Sequence, residues 1–287
     1  MAQRAHRGTL QERRLRKTRE LFSFSRQPEL QNPSLIVGFS EDAGRLAPKV
    51  IDCLNAKIKG ESFCEIELSE FFPLGGVAVE DNIAQFPESK FYCGERNDLV
   101  IFKGSEPRFE WYQFLQTVLD VAEHHCKIKE LYTISGTISS IAHTTPRSIL
   151  TVFNRQEFQK QLRGYGLKNM NWEGQPALNS FLLWVAERRN IPGVSLWPVV
   201  PFYLAGVDDS KAQKKILEFL DKRFGLGIDF SDINEEVVKQ NEKIAQLRSI
   251  SPEVDNYIKK LESNLTLTEE ESEEIVRGVA EFLRRKD

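Results

Sequence analysis

The chain of 287 residues has no hydrophobic run that approaches the roughly 20 residues needed to span a bilayer, so we expect no membrane partner. The N-terminus has no apolar stretch of the kind found in secretory signals, and we expect a cytoplasmic protein. No CxxC pair occurs, which predicts reduced thiols and no metal site for the cysteines Cys53, Cys64, Cys93 and Cys126.

The common catalytic and nucleotide-binding motifs are also missing. There is no GxxxxGK[ST] phosphate loop and no GxSxG nucleophile elbow, so we expect no cofactor and no serine hydrolase. The net charge of −3 gives no general attraction to nucleic acid. The sequence alone therefore favours no particular reaction.

What the sequence does contain is a repeated arrangement of apolar strands that end at glycine. Residues 35–38, 99–104 and 131–136 are short, almost continuous apolar runs that stop at Gly38, Gly104 and Gly136. Runs of this kind are typical of a sheet that is buried on both faces. Glycine at the carboxyl end of a strand permits a sharp turn, and ligand sites of open α/β sheets lie along that edge.

The order of elements predicts the domain organisation. Strands alternate with helical patterns up to about residue 228, and purely helical patterns follow, including a helix over 268–285. We predict an α/β core over 33–228, built on a mixed sheet flanked by helices, and a C-terminal helical subdomain over 229–287.

Residues 1–32 form a basic N-terminal arm. Eight arginines and lysines face only three glutamates there, and no aromatic residues are interleaved with the basic cluster. Two interpretations stay open: a solvated or subunit-packing arm, which we favour, and an arm that binds nucleic acid or an acidic partner.

Polar side chains that follow the predicted strand ends define a candidate ligand crevice. Arg147 is suited to hold a phosphate or carboxylate, and His143 to act as an acid or base. Asp42 and Glu106 have a second interpretation, as helix caps. The complete candidate set is Gly38, Asp42, Gly44, Gly104, Glu106, Gly136, His143, Arg147 and Glu173.

Several motifs in this order resemble the PAC2 family, the proteasome-assembly-chaperone-2-like proteins. They are the Leu35–Phe39 strand with Asp42-Ala43-Gly44, the Leu99–Pro107 segment, Ile134-Ser135-Gly136, His143–Arg147, Glu173-Gly174, and Ile191–Leu196 leading to Pro201 and Tyr203. The resemblance spans roughly residues 33–260. It implies a phosphorylase/hydrolase-like α/β fold and self-association, often as trimers in bacterial members.

The resemblance also implies a role without catalysis, because family members with a known role act as assembly chaperones for proteasome α subunits. Our first hypothesis is therefore a homo-oligomeric, non-catalytic scaffold or assembly-chaperone-like protein with a protein client. The alternative is a protein or enzyme that binds a nucleoside, nucleotide or amino acid in the strand-end crevice. A nucleic-acid protein acting through the basic arm is the third hypothesis.

Overall fold

The computed structural model describes residues 21–73, 78–80, 82–94, 98–171, 173 and 177–284. The strands in this part of the chain are β1 Phe22–Phe24, β2 Ser34–Phe39, β3 Glu61–Ile66, β4 Ala78–Glu80, β5 Ile83–Gln85, β6 Ser89–Cys93, β7 Leu99–Gly104, β8 Glu130–Ile134, β9 Thr137–Ser139, β10 Ile149–Phe153, β11 Lys168–Asn169 and β12 Gly193–Pro201. The α-helices are α1 Leu46–Ile58, α2 Trp111–Asp120, α3 Gln156–Gln161, α4 Leu178–Arg188, α5 Ser210–Phe224, α6 Ser231–Ile250, α7 Pro252–Glu262 and α8 Glu269–Arg284.

One mixed sheet organises the molecule. Its strand order is β1-β3-β6-β7-β2-β8-β12-β10-β11, and β9 pairs with the far end of β12. The central strands β7, β2, β8 and β12 are parallel, whereas β6, β3 and β1 extend the sheet antiparallel on one side. The predicted mixed α/β fold is thus confirmed, and the four parallel strands end at the same edge.

The central strand β2 shows why apolar runs become strands here. All six of its residues are buried, and it pairs with β7 on one side and β8 on the other. A strand covered on both faces needs apolar residues throughout, which is the pattern the sequence has.

Two hydrophobic clusters cover the two faces of the sheet. The first contains Ile51 of α1 and Leu217 of α5, and it continues without interruption into the C-terminal helices through Ile244 and Ile258. The second packs α2 and α4 over Phe102 and its neighbours. The boundary predicted at residue 228 falls between α5 and α6, and the helices beyond it cover the first cluster. None of the described helices combines the length and apolar character needed to cross a bilayer.

The structure tests the predicted element boundaries at two places, and a third lies outside the described residues. The apolar spacing after Asp42 predicts a helix over 43–57, with Pro48 favouring a kink or a later start. The helix α1 begins at Leu46, because Gly44 and Arg45 adopt left-handed backbone angles, with φ of 71° and 49°. Part of the predicted arm forms β1, which pairs antiparallel with β3. Pro176 suits the first turn of a helix and predicts a helix start there. That position lies outside the described residues, and α4 is described from Leu178.

Gly38 lies where β2 packs against α1, and it offers a test of this packing. A Cβ at Gly38 would lie 2.5 Å from Cγ1 of Ile51. We expect Gly38→Ala to lower the free energy of unfolding by about 1–3 kcal/mol, because close-packed cores tolerate added volume poorly. Denaturant unfolding measures this value. The control is Gly164→Ala, where a Cβ meets no atom within 4 Å. Equal stability of the two variants would contradict the packing argument.

Candidate functional site

The carboxylate of Asp42 ties together two strand ends. Its Oδ2 accepts a hydrogen bond from the backbone N of Ala47 at 2.6 Å. Its Oδ1 accepts from the hydroxyl of Ser135 at 3.0 Å and from the backbone N of Gly136 at 2.5 Å. Burial raises the pKa of Asp42, although these hydrogen bonds favour the charged form. The turn after β2 is thereby fixed to the turn after β8.

Two of the candidate glycines allow close packing at this edge, Gly136 between the two turns and Gly44 against Val200 and Asp209. A Cβ at Gly136 would lie 2.4 Å from the carbonyl oxygen of Ala43. Gly44 has a positive φ of 71°, and a Cβ there would lie 3.3 Å from Val200 and 3.5 Å from the Cβ of Asp209. Both glycines therefore bring backbone segments together at the carboxyl ends of the central strands.

Arg147 is buried and paired rather than turned toward solvent. Its Nε donates to Oδ2 of Asp209 at 2.8 Å, and the side chains of the two residues are 2% and 0% exposed. A second guanidinium nitrogen donates to the carbonyl oxygen of Thr145 at 2.6 Å. The carboxylate of Asp209 also accepts from the backbone N of Lys211 and of Ala212, both at 3.1 Å, so it caps α5.

His143 is held next to this ion pair. Its backbone N donates to the hydroxyl oxygen of Tyr203, which lies 3.0 Å from the His143 Nδ1. Burial, followed by the positive charges of Lys211 and Arg248, lowers the pKa of His143 to about 4. The hydroxyl oxygen of Tyr203 accepts from the His143 backbone, so its O–H is available to donate a hydrogen bond to Nδ1 of the neutral ring. At neutral pH the histidine is therefore an uncharged hydrogen-bonding group.

Glu106 takes part in none of these hydrogen bonds, although its carboxyl group is close enough to Asp42 for their charges to interact. Burial raises its pKa, with a further contribution from the negative charge of Glu41, which forms an ion pair with Arg108 at 2.5 Å. The helix-cap interpretation of Glu106 is wrong, because α2 begins only at Trp111 and Glu110 occupies its N-cap position.

The structure brings together only part of the candidate set. Asp42 is hydrogen-bonded to Gly136. Gly44, in the same turn as Asp42, accepts from the backbone N of Asp209 at 3.3 Å, and Asp209 in turn pairs with Arg147, next to His143. The remaining candidates take other positions: Gly38 packs on Ile51, Gly104 packs on Phe102, and Glu173 has an exposed side chain.

Sequence reasoning missed the partners of this cluster. In the sequence, Asp208 and Asp209 are two possible caps of α5 and nothing indicates a partner for either, while Tyr203 stands out only as part of a family motif. Arg147 and Asp209 are 62 residues apart, so no local spacing indicates that they pair. Across the described residues, no group of three or more His, Cys, Asp or Glu side chains is placed to hold a metal ion. The side chains of the cluster mainly bind backbone groups, and the buried charge of Arg147 is paired with that of Asp209.

The fold and this strand edge define an α/β protein whose central parallel strands end in loops fixed by buried polar groups. The family model described as the PAC2 family matches residues 35–248, and the chain belongs to the PAC2 family. No curated protein gives a significant match to the chain.

Solved structures agree with the family assignment. The PAC2 family protein of Streptomyces avermitilis is 21% identical, with a TM-score of 0.67 over 79% of this chain and 99% of that one. The proteasome-assembly chaperone homologue of Mycobacterium tuberculosis is 19% identical, with a TM-score of 0.66 over 78% and 99%. An archaeal proteasome activator of Pyrococcus furiosus is 19% identical, with a TM-score of 0.66 over 79% and 98%. At these identities the similarity establishes the shared fold.

The buried ion pair predicts a large effect of Arg147→Ala on stability. Removal of the guanidinium leaves the Asp209 carboxylate buried without its partner, and we expect a loss of about 3–5 kcal/mol in the free energy of unfolding. Urea unfolding measures the loss. The control is Arg163→Ala at an exposed arginine. The double variant Arg147→Met with Asp209→Ser removes both charges and keeps a capping oxygen, so it should recover part of the loss. A loss below about 1 kcal/mol in Arg147→Ala would contradict this account.

The lowered pKa of His143 predicts a pH dependence of stability. Between pH 6.5 and about 4, the unfolded chain binds a proton at His143 that the folded chain does not. The free energy of unfolding therefore falls as the pH falls through this window, by up to about 3 kcal/mol.

The control for this pH dependence is His143→Asn, which keeps an acceptor for Tyr203 and does not titrate. Asp42 acts in the opposite direction, because its raised pKa makes the folded state hold a proton more tightly. The difference between wild type and His143→Asn cancels that contribution. Parallel stability curves for the two proteins between pH 4 and 7 would refute the assignment.

Proposed function

We propose that this chain is a homo-oligomeric, non-catalytic scaffold of the assembly-chaperone type that acts on a protein client in the cytoplasm. Membership of the PAC2 family supports the proposal, as does the similarity to a proteasome-assembly chaperone homologue of Mycobacterium tuberculosis and a proteasome activator of Pyrococcus furiosus. The four cysteines have free thiols, which suits a reducing compartment.

The contacts of the candidate catalytic groups further support a non-catalytic role. The hydrogen-bonding capacity of Asp42 is used by backbone and hydroxyl donors, and the guanidinium of Arg147 is used by Asp209. The ring of His143 is tied to Tyr203. A general base or an anion-binding arginine has to be available to a substrate, and these groups are engaged within the protein.

The observation that carries the proposal is an aromatic face on α2 and α4, made of Trp111, Tyr112, Phe181 and Trp184. Trp111 and Trp184 are 41% and 40% exposed, and the four side chains line a shallow groove of about 580 Å³. The rings are ordered among themselves: Trp111 lies 4.3 Å from Phe181, and Tyr112 lies 5.9 Å from Trp184.

This face has the composition of a protein interface. The guanidinium of Arg188 lies 4.1 Å from the ring centre of Trp184, so tryptophan, tyrosine and arginine occur together. These three residue types dominate the binding energy of protein interfaces. The aromatic cluster is exposed to water, and its burial by a partner would lower the free energy of the complex substantially.

A second exposed apolar surface supports a closed ring of subunits as the form of the oligomer. The β4–β5 hairpin presents Val79, Ile83 and Phe86, each at least 64% exposed. A closed ring needs two different surfaces on each copy, one for each neighbour. The aromatic face and the hairpin are such a pair of surfaces, and the proposed oligomer is a trimer in which they meet.

The subunit number of the purified protein tests this proposal. We expect native mass spectrometry to show a trimer at micromolar concentration. The double variant Trp111→Ala with Trp184→Ala should move the population to monomer, because each interface tryptophan contributes about 2 kcal/mol or more. Phe86→Ala should weaken the same assembly from the opposite side of the interface.

The matched control is Ile250→Ala, an exposed apolar residue at the end of α6, outside both surfaces. A wild-type protein that is monomeric at micromolar concentration would overturn the proposal. The chaperone role is tested with proteasome α subunits as the client probe: faster ring assembly in the presence of the trimer supports it, and unchanged assembly contradicts it.

A further inference from the structure

A cleft lies at the edge of the sheet that is formed by β10 and β11. Its volume is about 350 Å³, at the lower end of the range for ligand sites. The end of β10, the start of α3 and the segment that follows β11 line it. Its lining residues include none of the nine candidate residues, nor any residue of the aromatic face or the β4–β5 hairpin.

The strand β10 has an open backbone edge at this cleft. On one side β10 pairs with β12, and just past its end the backbone N of Asn154 donates to the carbonyl of Gly193 at 3.2 Å. On the other side β11 supplies only two residues, and the carbonyl of Thr151 accepts from the backbone N of Met170 at 3.1 Å. Successive residues of a strand direct their backbone groups to alternate sides, so the N–H and carbonyl of Phe153 point the same way as those of Thr151.

Phe153 has no strand partner on that side, because the pairing with β11 ends at Asn169. Neither its N–H nor its carbonyl has a hydrogen-bond partner among the described residues. Unpaired backbone groups at the edge of a sheet are a template for another extended chain. A peptide strand that continues the direction of β11, parallel to β10, would satisfy both groups.

The charge of the cleft is positive and comes from one side chain. Arg155 follows the end of β10, and its Nη2 donates to Oδ1 of Asn190, a neutral partner, at 2.9 Å. In the described part of the chain, no carboxylate pairs with Arg155, and its other two guanidinium nitrogens have no acceptor. A guanidinium with its charge and donors available matches a carboxylate. The amide side chains that line the rest of the cleft are those of Asn154, Gln156, Gln159, Asn169 and Asn171.

We propose that this cleft binds the free C-terminal end of an extended polypeptide. The peptide lies parallel to β10, so its C-terminus points toward Arg155, and the terminal carboxylate contacts the guanidinium. The N–H of the last peptide residue donates to the carbonyl of Phe153, and the carbonyl two residues earlier accepts from the N–H of Phe153. The residue between them directs its own N–H away from β10, as in any parallel pair. This binding site is independent of the proposed oligomer.

Calorimetric titration of the full chain with the peptide acetyl-alanyl-valyl-valine tests the proposal, because valine favours an extended backbone. We expect saturable binding at millimolar peptide and a higher melting temperature in its presence, since ligands of the native state stabilise it. The same peptide with a C-terminal amide should bind about tenfold more weakly or worse, because it lacks the charge that contacts Arg155. No saturable binding of the acid peptide, or equal binding of the amide, would overturn the proposal.

Methylation of single peptide nitrogens tests the strand pairing. An N-methyl group on the last valine removes the N–H that donates to Phe153, and we expect binding to weaken about three- to tenfold. An N-methyl group on the middle valine replaces an N–H that points away from β10, so the affinity should stay nearly unchanged. Equal affinities of the two methylated peptides would contradict the parallel pairing.

Substitution of Arg155 tests the contact with the carboxylate. Arg155→Met keeps a long side chain without the charge, and its affinity for the acid peptide should fall about tenfold, as expected when charge-assisted hydrogen bonds are lost. Its affinity for the amide peptide should not change. Arg155→Lys keeps the charge without the planar fork and should retain part of the affinity. Unchanged binding of the acid peptide by Arg155→Met would refute the assignment.

The matched control is Arg163→Met. Arg163 is an exposed arginine shortly after α3, and it is not among the residues that line the cleft. It should leave the affinity for the acid peptide unchanged, and an equal loss in the two methionine variants would indicate a general charge effect and contradict the proposal. Subunit number, measured in the same samples, reports on the oligomer separately.

Discussion

The buried ion pair between Arg147 and Asp209 is the interaction on which the strand edge depends. Asp209 caps α5, accepts the guanidinium, and donates its backbone N to Gly44, so three chain segments meet at one residue. Two charges removed from water are tolerated only when their remaining hydrogen bonds are satisfied, and here Thr145 and the α5 amides supply them. The shape of the edge, including the left-handed turn that carries Arg45, follows from this arrangement.

The strand ends and the outer surface of the protein differ in how their side chains are used. At the strand ends, charged and hydrogen-bonding groups are buried and face one another, as Asp42 does with Ser135 and Gly136. On the outer surface, Trp111 and Trp184 of the aromatic face are 41% and 40% exposed. The crevice at the strand ends is thus occupied by the protein's own side chains, among them Arg147 and Asp209.

The sheet could be predicted from the sequence because a strand buried on both faces is a recognisable run of mostly apolar residues. The segments that form β2 and β7 are mostly apolar, and β8 is apolar at three of its five residues. The short strand β1 was missed because a three-residue strand has no periodicity to detect and is fixed only by its pairing with β3. In the candidate site, strand-end positions located Asp42 and Gly136. The role of Arg147 depended on a partner 62 residues away, and such long-range pairs leave no pattern in one sequence.

The position of β2 has a consequence for how the molecule moves. Its backbone hydrogen bonds lie between β7 and β8 and are screened by a helical layer on each face, so its amide protons exchange with solvent only when the whole core opens. The β4–β5 hairpin belongs to a separate two-stranded sheet, and its amides are free to exchange through local opening. A partner that binds the hairpin therefore contacts a part of the protein that can open locally. The turn at Asp42 is attached to the central sheet, which opens only with the whole core.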